Sequence, residues 1–326
     1  MRILGAAGIT PSSADAGSQL AIDVQYYLTQ QPRQLPSRYF YDALGSALFD
    51  AICQLPWYAL MRAELRLLEA HGRHIIGSDV STIIELGPGN GGKLSALIVA
   101  AGSRRSPLDL HIVDVSASAL AQATATLARL PDVRVTAHET TYEAGLDAFA
   151  AGRPTAGRSL AIFLGSNLGN FDPPGREAFL RNVRMALRPG DGFLLGADLI
   201  KPERDLLLAY DDPLGVTAAF NRNVLVRVNR ELGGNFDLDR FRHRAVWDRV
   251  QSRIEMHLVC TRAQQIVIPA ASLDFSMHEN ESIWTESSYK FAPPQIASAL
   301  QRGGFEVRAQ WIDDRDPFAL THAVAV

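Results

Sequence analysis

Between about Ala63 and Ile200 the apolar positions switch repeatedly between two periods. Spacings of three and four, which mark one face of a helix, run through "AELRLLEAHGRHII", "GKLSALIVAAG", "SASALAQATATLARL" and "PPGREAFLRNVRMALRPG". Short apolar or alternating runs, the mark of strands, are "TIIEL", "LDLHIVDV", "VRVTAHE", "RSLAIFLG" and "DGFLLGADLI". Alternation of this kind predicts a parallel sheet covered by helices on both faces, a doubly wound α/β domain that binds ligands at the carboxyl ends of its strands. After the helix "PPQIASALQRGG", the runs "FEVRAQWIDD" and "FALTHAVAV" predict an antiparallel hairpin at the end of the sheet.

From Ile200 to about Ser287 the pattern changes. A long helix, "GVTAAFNRNVLVRVNREL", precedes "RIEMHLVC" and "QQIVIP", read as paired strands of an inserted, smaller α+β lobe. The chain then divides into a mobile tail at 1–16, a substrate-binding lobe at 17–62 and 201–286, and the main α/β domain at 63–200 and 287–326.

Composition narrows the function. With 326 residues, 47% of them hydrophobic, the chain can bury a full core. Its net charge of -3 and lack of a basic block give no general attraction to nucleic acid or anionic membranes, which leaves small-molecule chemistry. Cys53 and Cys260 stand far apart with no ligand-spaced neighbour, so no metal site or disulfide framework is expected and the reducing cytosol fits. The N-terminal apolar run is too short and too broken for a signal peptide or a membrane span. No heptad or long apolar stripe is evident, which makes a monomer the default.

The stretch "IIELGPGNGGKLSALI" holds the first chemistry. Gly87, Gly89 and Gly92 satisfy the dinucleotide fingerprint, so a nicotinamide enzyme is one reading. Asp114, at the end of the next strand, stands where an acidic residue takes a ribose diol, and either a nicotinamide dinucleotide or S-adenosylmethionine would use it. Glu85 before the loop, Pro88 within it and the terminal antiparallel hairpin favour S-adenosylmethionine. No His-Asp or Tyr-x-x-x-Lys pair stands where a hydride acceptor's acid is needed.

The stretches "SRYFYDALGSALFDAICQLPWY", "FLGSNLGNF", "AYDDPLGVTAAFNRNVLVRVNRELGGNFDLDRF", "RIEMHL" and "TESSYKF" resemble, in order, those of the histidine-specific N-alpha-methyltransferases of ergothioneine biosynthesis. The resemblance covers nearly the whole chain from about Leu35. It implies a class I methyltransferase domain with an inserted substrate lobe, S-adenosylmethionine as methyl donor with S-adenosylhomocysteine as product, no metal, and conversion of L-histidine to the trimethylated betaine hercynine. Carried over by motif, it implies that Tyr41, Gly87, Lys93, Asp114, Thr141 and Tyr142 hold the cofactor. It likewise implies that Phe49, Tyr58, Gly165, Asn170, Tyr210, Met256, Glu286 and Ser288 hold the substrate. Two departures bear on cofactor affinity: Thr141-Tyr142 stands where the family commonly has Asp-Phe, and "GPGNGGK" where relatives often read "GSGTSEK".

Chemistry gives each expected contact a reason. Asn170 and Tyr210 bond the amino-acid moiety without burying a second full charge. In "TESSYKF" the two-residue strand period puts Glu286 and Ser288 on one face, a carboxylate and a hydroxyl suited to an imidazole. Met256 shares a face with Ile254 and Leu258, which spacing alone reads as core; the resemblance makes it a pocket wall with Phe49 and Tyr58. No dedicated acid or base is demanded, because the donor is already activated and catalysis rests on positioning, by Tyr41 and Asn170 among others. The rival readings are the same chemistry on another amino acid such as tryptophan, and a non-catalytic S-adenosylmethionine-binding protein.

Overall fold

The computed structural model describes residues 13–102, 107–153 and 156–326. Contacts divide them into two units. The larger comprises Ser46–Thr217, Ala245–Glu255 and Ser287–Val326; the smaller holds the described residues up to Gly45 with Ala218–Arg244 and Met256–Glu286.

In chain order the elements are α1 (Ser13–Leu28), β1 (Arg33–Gln34), α2 (Ala43–Gln54), α3 (Leu60–Ile75), β2 (Val80–Leu86), α4 (Gly92–Ala101), β3 (Leu108–Asp114), α5 (Ala117–Leu127), β4 (Val133–Glu139), α6 (Tyr142–Gly152), β5 (Arg158–Phe163), α7 (Pro173–Ala186) and β6 (Gly192–Asp198). There follow α8 (Glu203–Tyr210), α9 (Val216–Leu232), β7 (Phe241–Asp248), β8 (Arg253–Cys260), β9 (Gln264–Ile268), β10 (Leu273–Met277), β11 (Ser282–Tyr289), α10 (Pro293–Arg302), β12 (Phe305–Ile312) and β13 (Phe318–Ala325).

The larger unit is built on a seven-stranded sheet in the order β12-β13-β6-β5-β2-β3-β4. Strands β6, β5, β2, β3 and β4 are mutually parallel, while β13 runs antiparallel to both β6 and β12. This is the doubly wound sheet with a terminal antiparallel hairpin that the hydrophobic pattern predicts. The central strands β2, β5 and β6 are buried almost throughout because helices cover both faces: β2 is buried at six of its seven positions, all but Ser81. One layer of core joins Ile84, Phe163 and Phe193 of the sheet to Phe149, Phe179 and Leu300 on α6, α7 and α10. The strand order reverses between β2 and β5, whose chains leave to opposite sides and open a crevice at their carboxyl ends.

The smaller unit carries α1, most of α9 and the β9–β10 hairpin. Strands β7, β8 and β11 belong to a four-stranded sheet, β1-β11-β8-β7, and the division between units falls within each of the three.

Several expectations need correction. "RIEMHLVC" and "QQIVIP" do not pair: β8 lies between β11 and β7, and β9 takes β10 as its antiparallel partner. The short link between β8 and β9 reads like a hairpin, but a turn at Pro269–Ala271 brings β10 back onto β9 instead. Helix α6 is absent from the sequence reading, because glycines at 145 and 152 dilute its pattern. Gly145 is required there, since a Cβ would lie 2.4 Å from Val113 Cγ1. Most of α2, and α8, fall in the larger unit, so contacts place its boundaries at 45/46 and 217/218 where the pattern suggests 62/63 and 200/201. Of the expected tail, residues 1–12 lie outside the described residues, and 13–16 open α1.

Candidate active site

The crevice is framed by two glycine turns. After β2 the chain turns at Gly87, with φ +72°, and its amide donates to the Val113 carbonyl at 2.9 Å. After β5 it turns at Gly165 (φ +76°) and Ser166 (φ +62°), both left-handed, which aims the short 3-10 helix Asn167–Asn170 back over the strand ends. At Gly87 and Gly165 the positive φ and the close neighbours together favour glycine. A Cβ on Gly87 would lie 2.9 Å from the Tyr142 hydroxyl and 3.4 Å from Asn167 Nδ2, so both side chains sit directly over the turn. A Cβ on Gly165 would lie 3.1 Å from Lys93 Nζ. A Cβ on Gly89 (φ +56°), by contrast, would meet nothing within 4 Å, leaving this side of the turn open for a ligand to approach.

Beneath the turns lies an ion pair. Lys93 Nζ meets Glu64 Oε2 at 2.9 Å, and Glu64, fully buried on α3, also accepts from the Gly165 amide at 2.9 and 3.0 Å. Glu64 therefore ties α3, the first turn of α4 and the β5 turn together. Glu85 is buried beside this group with Oε2 unpartnered among the described residues. Burial pushes its carboxyl up to about 8, Lys93 working against the shift and Glu64 with it, so it is protonated at neutral pH. Asp114 closes β3, accepting from the Ser116 amide at 2.9 Å; burial raises its carboxyl above the usual range despite the backbone hydrogen bonds it accepts. Thr141 is exposed and caps α6 by accepting from the Ala144 amide, while the Tyr142 ring packs edge-on against Phe163 and Phe179.

A second cluster stands on α8 and the end of β11. The Tyr210 and Ser288 hydroxyls are 2.9 Å apart, and Lys290 Nζ lies 2.8 Å from the first and 3.0 Å from the second. Lys290 is fully buried and paired with Asp198 Oδ2 at 2.9 Å, at the carboxyl end of β6, where Asp198 Oδ1 also meets Lys201 at 2.7 Å. Tyr210 packs edge-on against Tyr58, with ring centroids 6.2 Å apart, and Tyr58 likewise against Phe49. Tyr58, Asp198, Lys201 and Tyr210 line a common cavity of about 340 Å³, within the range of ligand pockets. Asn170 is exposed at the end of its 3-10 helix.

The remaining expected residues lie in the smaller unit. Tyr41 is half-buried and packs edge-on against Phe220 of α9, 5.6 Å between centroids, while neighbouring Asp42 accepts from Gly45 and Asn223 at 2.7 and 2.8 Å. Met256 is 1% exposed, on the buried face of β8 with Ile254 and Leu258. Glu286 is half-buried on β11, its carbonyl accepting from Trp284 Nε1 at 2.8 Å.

The sequence reading named neither Glu64 nor Asn167, and neither Asp198 nor Lys290. For Glu64 a signal exists: it interrupts the stripe Leu60, Ala63, Leu67, Leu68 and Ile75 as a charge on the buried face of an amphipathic helix. For Lys290 the signal is fainter, a lysine between buried Tyr289 and Phe291.

The donor set fits S-adenosylmethionine: a bare glycine turn, an acidic strand end for a ribose, and a lysine whose ammonium keeps donors beyond its bond to Glu64. Among the described residues no His, Cys, Asp or Glu group gathers as a metal site needs, and no helix is long and apolar enough to cross a membrane. The comparisons with known proteins agree with this chemistry. Residues 20–325 match the family described as histidine-specific methyltransferase, SAM-dependent. The chain is 39% identical to the histidine N-alpha-methyltransferase of Mycolicibacterium smegmatis over 96% of its own length and 97% of that protein. It is also 39% identical to the protein of the same name from Mycobacterium tuberculosis, over 95% and 96%. With ergothioneine biosynthesis protein 1 of Schizosaccharomyces pombe it shares 26% identity, over 88% of this chain and 39% of that one. The chain therefore belongs to the family of histidine-specific, S-adenosylmethionine-dependent methyltransferases.

Proposed function

We propose that this enzyme methylates the α-amine of L-histidine three times to give hercynine, the opening step of ergothioneine synthesis. The observation that carries the amino-acid site is the Tyr210–Ser288 hydroxyl pair on its buried lysine, beside the aromatic wall of Tyr58 and Phe49. S-adenosylmethionine supplies a methyl group already activated on a sulfonium. In this reading Gly87, Lys93, Asp114, Thr141, Tyr142 and Tyr41 hold it; Asn170, Gly165 and Tyr210 bind the substrate's amino-acid moiety; Glu286 and Ser288 take the imidazole; Met256 walls the pocket.

The residues act by holding. A neutral amine kept in line with the reacting carbon gains several kcal/mol from orientation alone, and no side chain need serve as a dedicated base. Starting from the ammonium form, the amine loses one proton before each of the three transfers, to water or a neighbouring phenol, and none remains on the quaternary product. The ring faces of Tyr41 and Tyr58 favour the developing cation, a contribution of about 0.5–2 kcal/mol. The same reading puts the enzyme in the cytosol as a monomer acting on a free amino acid, without nucleic acid, membrane or metal; the charge balance and the two widely separated cysteines support it.

The test is mass spectrometry of the purified protein with S-adenosylmethionine and each of the twenty amino acids. A gain of three methyl groups on histidine alone is expected. Methylation of tryptophan or another amino acid would overturn the substrate, and calorimetric binding of the cofactor with no product would overturn the activity.

A further inference from the structure

Tyr41 ends the single-turn 3-10 helix Ser37–Phe40 with φ -90° and ψ 54°. The Asp42 amide donates to the Phe40 carbonyl at 3.1 Å, a bond between residues two apart, so Tyr41 stands at the apex of an inverse γ-turn. In so short a turn the direction of the apex side chain follows from the positions of its two neighbours.

Both neighbours are fastened to α9. Phe220, Asn223, Arg227 and Arg230 are spaced three, four and three apart and so share one face of that helix. Phe220 packs on the rings of Phe40 and Tyr41, 4.7 and 5.6 Å between centroids, and Arg227 donates to the Tyr39 carbonyl at 3.3 Å. Asn223, buried at mid-helix, gives its Nδ2 to both flanks of the turn: the Phe40 carbonyl at 3.4 Å and Asp42 Oδ1 at 2.8 Å. Asp42 also accepts from the Gly45 amide at 2.7 Å and from Arg230 at 2.8 Å.

This amide has one workable orientation, because half a rotation would set its Oδ1 against two acceptors. As it stands, Oδ1 is buried without a hydrogen-bond partner among the described residues, so the turn is what fixes the side chain. A polar residue buried in a helix costs free energy unless its bonds are made, and both bonds of this one lead to the residues that flank Tyr41.

We infer that Asn223 is a positioning residue for the methyl transfer: by holding Phe40 and Asp42 it sets the direction of the Tyr41 side chain. The inference rests on the reading above in which Tyr41 holds the cofactor. Removing the amide orphans neither acceptor, since the Phe40 carbonyl keeps the Asp42 amide and Asp42 Oδ1 keeps the Gly45 amide.

The experiment uses the full chain with S-adenosylmethionine and histidine. Asn223→Leu, which keeps the branched shape, lowers kcat/KM by about tenfold, the size of a lost hydrogen bond to a charged group, and weakens the cofactor Kd read by calorimetry. Tyr41→Ala costs at least as much by itself but under about threefold more in the Asn223→Leu background, because the ring it removes is already misdirected. Asn229→Leu controls for damage to the helix: Asn229 also lies on α9 but bonds the Phe236 amide and carbonyl, at 2.9 and 2.8 Å, and its loss lowers the melting temperature while kcat/KM stays within about twofold. An unchanged kcat/KM in a folded Asn223→Leu protein overturns the inference, as do additive effects in the cycle or an equal loss in Asn229→Leu. If Asn223→Leu does not fold, the cycle of Asp42→Ala with Tyr41→Ala decides by the same criterion. A Tyr41→Ala protein that binds cofactor and turns over normally would overturn the reading of Tyr41, and the inference with it. An unmodified enzyme that leaves histidine unmethylated would overturn the substrate reading, and the cofactor Kd then carries the cycle.

Discussion

Gly87 and Gly89 differ in a way that only their surroundings explain. Both have positive φ, but a methyl group on Gly87 meets the Tyr142 hydroxyl at 2.9 Å, whereas one on Gly89 meets nothing. Gly87→Ala is expected to weaken cofactor binding by about tenfold or more through backbone strain and a displaced Tyr142. If the bare face of Gly89 is where the cofactor approaches, Gly89→Ala weakens it as well without lowering the melting temperature as far; calorimetry and thermal melts of both variants separate the two effects. Glu85 makes a pH prediction. Burial raises its carboxyl from the ordinary 4.5 to about 8, so its contribution to stability is complete below about pH 4.5 and lost as pH rises through 8. Between pH 6.5 and 9 the urea midpoint of the unmodified protein therefore falls more than that of Glu85→Gln. Parallel curves for the two would show that Glu85 does not titrate in this window.

At the scale of elements, α3 is tied to two other parts of the fold through its first half. Glu64 anchors it to the β5 turn, and Arg66 grips the β12–β13 connection, its Nε and Nη2 meeting Asp313 at 2.8 and 2.6 Å and Nη2 also meeting Asp316 at 2.9 Å. The Arg66 guanidinium, with the amides of Asp316 and Arg315, holds the Asp313 carboxyl at about 2, with burial opposing. Because the folded value is depressed, the stabilisation is present above about pH 4 and disappears as pH falls towards 2. Asp313→Asn is thus expected to lose about 1 kcal/mol at neutral pH, with a gap that narrows in acid. A constant gap in urea melts from pH 7 to pH 3 would refute the assignment to this pair. Glu64→Gln removes the charge that Lys93 pairs with and is expected to loosen both glycine turns, seen as weaker cofactor binding.

For the whole molecule, the last strand matters most. β13 lies inside the sheet, bonded to β6 along one edge and β12 along the other, with Phe318, Leu320 and Ala323 fully buried. A chain ended after Asp313 would expose the β6 edge and the apolar face of α10 together. We expect such a truncation to lose cooperative thermal unfolding and near-ultraviolet circular dichroism; a sharp melt in the shortened chain would show that the parallel strands fold without the hairpin.

What the sequence by itself determined is whatever depends on period and local backbone chemistry. Buried strands, amphipathic helices and glycine turns are written in neighbouring residues, so the doubly wound order, the terminal hairpin, Gly87 and Asp114 were all legible, and the order of motifs identified the family. Strand partners in the insertion were not, because β8 and β9 are equally good strands whether or not they pair, and α6 was hidden by glycines that only packing against Val113 requires. Tertiary structure alone decided that Glu64 reaches Gly165 across 101 positions and that Lys290 joins Asp198, Tyr210 and Ser288. Periodicity can mark such a residue, as it marks Glu64 within an apolar stripe, but does not name its partners: a buried charge is stable only where distant elements bring its partners to it, and that meeting is a property of the folded chain.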